Sequence, residues 1–261
     1  MPLLIREDDG PVAHLTLNAP DRLNALSDAM LAALQAQCDA LADDHSIRVV
    51  ILSGAGRAFC AGHDLHEMQA GRHAEDKGAA YFADLFHRCT QVMLALQALP
   101  QPVIAQVHGI ATAAGCQLVA TCDMALAASD TRFGVNGVNI GLFCSTPMVA
   151  LTRAIAPKPA FEMLTTGAFI DAARAQSLGL INRAVPASEL AAETRAVAAT
   201  VAAKLGTAVR IGKRAFYEQA AMDTAAAYAH AGAVMVHNML DPDTDEGIAA
   251  FLEKRAPGWV Q

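Results

Sequence analysis

The chain is short of aromatic residues, of charge and of ordered cysteine spacing. Of its 261 residues, 5% are aromatic and 17% charged, while 54% are hydrophobic. So apolar a composition excludes disorder as the main state. Much of the excess is alanine, concentrated in Ala191–Ala203 and Ala220–Ala233, which suits closely packed helices. No apolar run reaches the roughly 18 residues that a membrane helix requires. The beginning, Met1-Pro-Leu-Leu-Ile-Arg-Glu-Asp-Asp9, lacks the basic lead and apolar stretch of a secretory signal and is acidic early, unlike a transit peptide. Six cysteines occur without a C-x-x-C pair, which reads as reduced, mostly buried thiols in a cytoplasmic protein without structural zinc. A formal charge of −7 argues against nucleic-acid binding, although a local basic pocket can still hold an anion.

What is present is an alternation of strand and helix signals. Val12–Leu17 reads as a strand, and Ser27 caps a helix reaching about Ala42. Val49–Leu52 and Val103–Val107 are continuous apolar strands, separated by helical periodicity over Tyr81–Leu99. Ala113–Thr121 reads as a helix and Met124–Ala127 as another strand. Such runs imply crossover connections and a largely parallel sheet, hence an α/β fold. Further on, Thr146-Pro147 has the form of an N-cap followed by a first-turn proline. Asp171 caps a short helix ending at Gly179, and Ile181–Val185 is the last strand. From Glu189 onward the pattern is almost wholly helical. The division expected is a core over residues 1–199 and a helical region over residues 200–261.

Three turn-rich stretches follow strands, where α/β folds build their sites. They are Gly54–Met68, Val107–Leu118 and Phe133–Thr146. Small residues and helix starts there can direct two backbone N–H groups at one oxygen. On spacing alone such glycine-rich turns are commonly no more than turns.

Ordered motifs run nearly the whole chain: Leu17-Asn-Ala-Pro-Asp-Arg-Leu-Asn-Ala-Leu26, Ala58-Phe-Cys-Ala-Gly-His-Asp-Leu65, Gln101–Gly109, Ala114-Gly-Cys-Gln-Leu118, Arg132-Phe-Gly134, Ala172–Leu180 and Glu246–Arg255. In these the sequence resembles the enoyl-CoA hydratase/isomerase (crotonase) superfamily. The resemblance implies a spiral of ββα repeats, with C-terminal helices used in a homotrimer or a dimer of trimers. It implies an acyl-CoA or enoyl-CoA substrate whose coenzyme is part of that substrate, with no separate cofactor, no metal, no nucleic acid and no membrane. The N–H groups of His63 and Ala114 would hold the thioester oxygen and stabilise an enolate. The coenzyme would lie along Arg22, Asn24, Ala25, Ala61, Gly62, His63, Asp64, Leu65, His66 and Gly115. Arg57 or Lys254, the latter from a neighbouring subunit, would meet its phosphates.

Two positions depart from the pattern. Typical hydratases carry glutamates where this chain has Gln117 and Gly137. An amide cannot exchange a proton near neutral pH and glycine has no side chain, so ordinary hydration should be slow. Asn139, Cys144 and Ser145 follow on the same loop, where a pocket-lining or capping role is the simpler expectation. The stretch Asn139–Pro147 is similar to a divergent subgroup that has a mitochondrial member. His63 and His66 do not have the spacing of zinc-protease motifs. Asp64 should cap the next helix with Glu67 closing a capping box, and His108 should be a satisfied core or loop histidine. Ser145, His63 and Asp64 lack the G-x-S-x-G elbow of a hydrolase.

Overall fold

A computed structural model describes residues 1–259. The chain opens with β1 (Leu4–Asp9) and β2 (Val12–Leu17), then α1 (Asp28–Ala42) and β3 (Val49–Gly54). After α2 (Leu65–Gly71) and α3 (Ala79–Ala98) come β4 (Val103–Val107), β5 (Ile110–Thr112), α4 (Ala114–Thr121), β6 (Met124–Ala128) and β7 (Arg132–Gly134). There follow α5 (Ser145–Ala154), α6 (Pro157–Thr166), β8 (Ile170–Asp171), α7 (Ala172–Leu178) and β9 (Arg183–Val185). Four helices complete the described residues: α8 (Leu190–Ala202), α9 (Gly206–Gln219), α10 (Thr224–Met239) and α11 (Pro242–Leu252).

Six strands form one sheet in the order β1-β2-β3-β4-β6-β9, parallel except for β1 against β2. This agrees with the expected α/β class. The period-two alternation explains the continuous apolar strands. Val50 and Leu52 join the larger core with α1, α3 and α4, whereas Val49 and Ile51 face the second core under α8. Helix α8 therefore covers the sheet, and the change of character falls after it, slightly beyond residue 200. A second sheet, β5-β7-β8, lies beyond the main one. Its strands span two or three residues, too short for a periodic signal. Strand β1 and helix α6 also escape the sequence pattern, and α5 begins at Ser145 rather than after a Thr146 cap.

The C-terminal helices attach differently from the core helices. Of the 14 residues of α9 only Lys213 is buried. Its ammonium meets Asp123 Oδ2 at 2.7 Å and donates to the carbonyls of Leu96 and Gln101. Tyr217, one turn on, donates its hydroxyl to Asp123 Oδ1 at 2.7 Å. Burial pushes the Lys213 pKa down, and Asp123 counters it. Helix α10 buries no residue and α11 buries only Ala250. Tyr228, Leu240, Phe251 and Leu252 stand exposed. Lys213→Met would strand Asp123 beside an apolar side chain. The expected loss is about 3–5 kcal/mol, read by denaturant unfolding.

Candidate functional site

The first two of the turn-rich loops cross at the strand ends. Phe59 and Cys60 N–H groups donate to the His108 and Ile110 carbonyls, and Thr112 N–H returns to the Cys60 carbonyl at 3.0 Å. On its other side the same segment is held by Ala61 N–H to Leu23 O and by Leu26 N–H to Gly62 O. The crossing is tight enough to require glycine. A Cβ on Gly115 would lie 2.1 Å from the Cys60 carbonyl oxygen. One on Gly62 would lie 2.9 Å from Ala113 Cβ and 3.2 Å from the Ala114 nitrogen, and Gly62 also has φ of +90°. The sequence thus brings His63 and Ala114 together through the residues beside them.

Both have unspent backbone donors. Ala114 begins α4, where first-turn N–H groups have no intrahelical partner. Neither its N–H nor that of His63 has a hydrogen-bond partner among the described residues. Ala113, before it, holds φ 49° and ψ −120°, a conformation uncommon for a residue with a side chain. Its N–H donates to the Gly134 carbonyl at 2.9 Å, which ties the third loop to the crossing. The strain sits at the residue that turns α4's N-terminus toward Gly62.

Most polar side chains nearby are committed to the scaffold. Asn24 is fully buried, accepting from Ala19 N–H and donating to the carbonyls of Ala55 and Ala58. Its side chain has no donor left for a coenzyme. Asp64 caps α2 by accepting from the His66 and Glu67 N–H groups, as expected. It also pairs with Arg22 at 2.6 Å. Burial pushes the Asp64 pKa up, but Arg22 and the two cap N–H groups outweigh it and hold the carboxyl below its ordinary value. Glu67 does not close a capping box. It reaches across to accept from Asp28 N–H at the start of α1, at 2.8 Å, because that helix end also needs an acceptor. Ala25 is buried, while Leu65, His66 and Arg57 are exposed around the loop. Lys254 is exposed just past α11, which packs on α10, and the structure does not bring it to the crossing within one chain. His108 Nε2 is spent on the Gly56 carbonyl at 2.8 Å. His63 and His66 do not converge with other donors on a metal position among the described residues.

Two side chains are different. Gln117 is buried, yet its Oε1 has no partner. The His63 imidazole lies edge-on to Phe86, with Nδ1 3.4 Å from the Leu26 carbonyl and Nε2 enclosed without a partner. Burial lowers the His63 pKa and so favours the neutral ring.

The third loop is closed around Gly137. A Cβ on Gly137 would lie 2.3 Å from the Leu142 carbonyl oxygen and 2.9 Å from Cys144 Sγ. Leu142 N–H meanwhile donates to the Gly137 carbonyl at 3.0 Å. Gly137 is thus a packing position. Asn139 donates to the Gly167 carbonyl, and Ser145 Oγ to the Phe143 carbonyl. Cys144 is buried, and burial raises its thiol pKa. None of the six cysteines is in a disulfide, and Cys60, Cys89 and Cys116 are pushed up to about 12 by burial.

Two predictions come from this geometry. Gly137→Ala should cost about 1–3 kcal/mol by overpacking against Leu142, measured by thermal or denaturant unfolding. His63 has a lowered pKa when folded, so the unfolded chain binds a proton that the folded chain refuses. The stability this costs is lost as pH falls from 6.5 toward the folded value. His63→Phe should therefore lessen the drop in unfolding free energy between pH 8 and pH 5.

The chain is similar to known proteins along nearly its whole length. A family model described as enoyl-CoA hydratase/isomerase matches residues 7–261. The chain is 44% identical over 258 residues to the Homo sapiens protein named enoyl-CoA hydratase domain-containing protein 3, mitochondrial, covering 99% of this chain and 83% of that one. Its counterpart of the same name from Xenopus laevis is 43% identical over 259 residues, covering 99% and 86%. Among crystal structures, an enoyl-CoA hydratase from Mycobacterium smegmatis superposes with a TM-score of 0.96 at 53% identity, covering 100% of both chains. The expectation of a cytoplasmic protein is corrected by these names, since both animal relatives are designated mitochondrial.

Proposed function

Because the chain belongs to the enoyl-CoA hydratase/isomerase family, we propose that it acts on acyl-CoA or enoyl-CoA thioesters through an enolate held by the His63 and Ala114 N–H groups. The observation that carries this reading is the pair of partnerless N–H groups at the crossing of the loops. Backbone donors fixed in this way stabilise an oxyanion without reorganising, and each is worth about a hundred- to a thousandfold in rate. Both are main-chain groups, so the function does not depend on the side chains at 63 and 114. The coenzyme enters as part of the substrate. Its phosphates would meet exposed Arg57 and His66 and the free edge of Arg22, local positive charge on a chain of net −7.

Water chemistry of the two-carboxylate kind is weakly served. Gln117 can orient a water or an acyl substituent but cannot take its proton. Gly137 supplies nothing, and the loop is folded over it. General acid and base groups contribute about a hundred- to ten-thousandfold each. A second reading, an acyl-CoA-binding protein that keeps the hole with little turnover, is favoured by this closed third loop. In either reading the exposed apolar side chains of α10 and α11 would be covered by further copies, as a homotrimer or a dimer of trimers. A helix with no fully buried residue in its own chain gains stability by packing on another.

The readings separate in one experiment. Calorimetry with butyryl-CoA should show binding, weakened by Gly62→Ala, whose Cβ would crowd the Ala114 nitrogen. Hydration of crotonyl-CoA, followed by loss of thioester absorbance, should run at least about a hundredfold below two-glutamate relatives. Turnover indistinguishable from buffer would leave the binding reading, and absence of binding would overturn both.

A further inference from the structure

A second cavity, between the end of α3 and helix α9, shares no lining residue with the loop crossing. It is an open groove of about 700 Å³, within the range of small-molecule sites. Its origin is the way α9 is held. Of that helix only Lys213 is buried, so one face meets the core and the flank beside it does not. Arg210, Ile211 and Arg214 recur at helical spacing along the flank and line the groove from one side. Leu94 and Ala98, one turn apart on α3, line it from the other. Leu94 is half exposed there, and Ile211 continues the apolar surface across the groove.

One end of the groove is cationic. Arg214 is committed to Glu218 at 2.7 Å, but Arg210 has no carboxylate partner among the described residues. Its guanidinium donates to Thr207 Oγ1 at 3.1 Å and to His45 Nδ1 at 3.3 Å, an atom that accepts only when unprotonated. Its other N–H groups remain unspent. Arg210 also lines a smaller neighbouring cavity together with Arg48, and burial and Arg210 lower the Arg48 pKa. Two guanidinium groups are therefore held near one another, and an anion beside Arg210 offsets their repulsion. An occupant must bring a negative group to this end and an alkyl surface to the rest. A neutral alkane leaves Arg210 unpaired, a bare anion leaves Leu94 in water, and a cation is repelled. A carboxylate matches the planar fork of one guanidinium with two parallel hydrogen bonds. We propose that the groove between α3 and α9 binds a medium-chain alkyl carboxylate, with the carboxylate on Arg210 and the chain along Leu94, Ala98 and Ile211. The bound acid braces α9 against α3 beside its Lys213 anchor.

The test is calorimetry and thermal unfolding of the full chain with octanoate, butyrate and octanol. Octanoate should bind saturably and raise the unfolding temperature, because a ligand of the folded state stabilises it. Butyrate, which lacks most of the chain, and octanol, which lacks the charge, should each bind at least about tenfold more weakly. Arg210→Gln and Leu94→Gln should each weaken octanoate by about tenfold or more while binding butyryl-CoA as the unmodified protein does. Excess butyryl-CoA should leave octanoate binding unchanged. Displacement of octanoate by butyryl-CoA would place it at the loop crossing and overturn the inference. So would unaltered octanoate affinity in Arg210→Gln, or equal affinities for octanoate and octanol. Absence of octanoate binding would overturn it too, and sedimentation of Leu94→Gln would then show whether a second copy covers the groove. The comparison of the three ligands on the unmodified protein holds even where a variant fails to fold, and none of these outcomes bears on the acyl-CoA reading.

Discussion

The structure of the site depends on how closely two backbones can approach. Cys60–Gly62 and Ala113–Gly115 pass one another at distances where a single added carbon at Gly62 or Gly115 would overlap carbonyl oxygen, nitrogen or side chain. That contact puts the His63 and Ala114 N–H groups on neighbouring strands of chain. The strained backbone of Ala113 is retained because both flanks are fastened, through Gly134 on one side and β5 on the other. The two free N–H groups are, in these terms, a by-product of a crossing too tight for them to find partners within the protein.

Hydrogen-bond accounting separates scaffold from site. Asn24, Asp64, Glu67 and His108 lie close to the loops and invite functional assignment. Each is spent on backbone groups of a neighbouring segment. Gln117 and His63 have atoms that are equally enclosed and unspent. The contrast isolates the two side chains near the crossing whose enclosed polar atoms the fold leaves without partners.

The C-terminal region follows another principle. Helix α9 is fixed to the core by one ion pair, whose groups also bond the Leu96 and Gln101 carbonyls, the Tyr217 hydroxyl and the Val103 N–H, while α10 and α11 expose their larger apolar residues. A buried ion pair is demanding in geometry, and losing one partner is costly, so it sets where the helix leaves the core. Apolar packing beyond that point is left to whatever covers the outer helices.

Local pattern carried much of this in the sequence. Apolar runs at Val49–Leu52 and Val103–Val107, the Ser27, Asp64 and Asp171 caps and the Gly179 stop are short-range signals, and the structure has them where the pattern puts them. The motifs around His63 and Ala114 likewise identified the segments that meet. The sequence alone could not show that Glu67 serves α1 rather than its own helix, or that Asn24 is fully engaged. Nor could it show that Lys213 is an anchor, or that Gly137 is held shut by the Leu142 carbonyl. Those facts depend on residues far apart in the chain arriving within one bond length of contact, and for Gly137 on how a five-residue loop folds back on itself. Spacing along the chain determines which groups are available; only packing decides which of them are left without a partner.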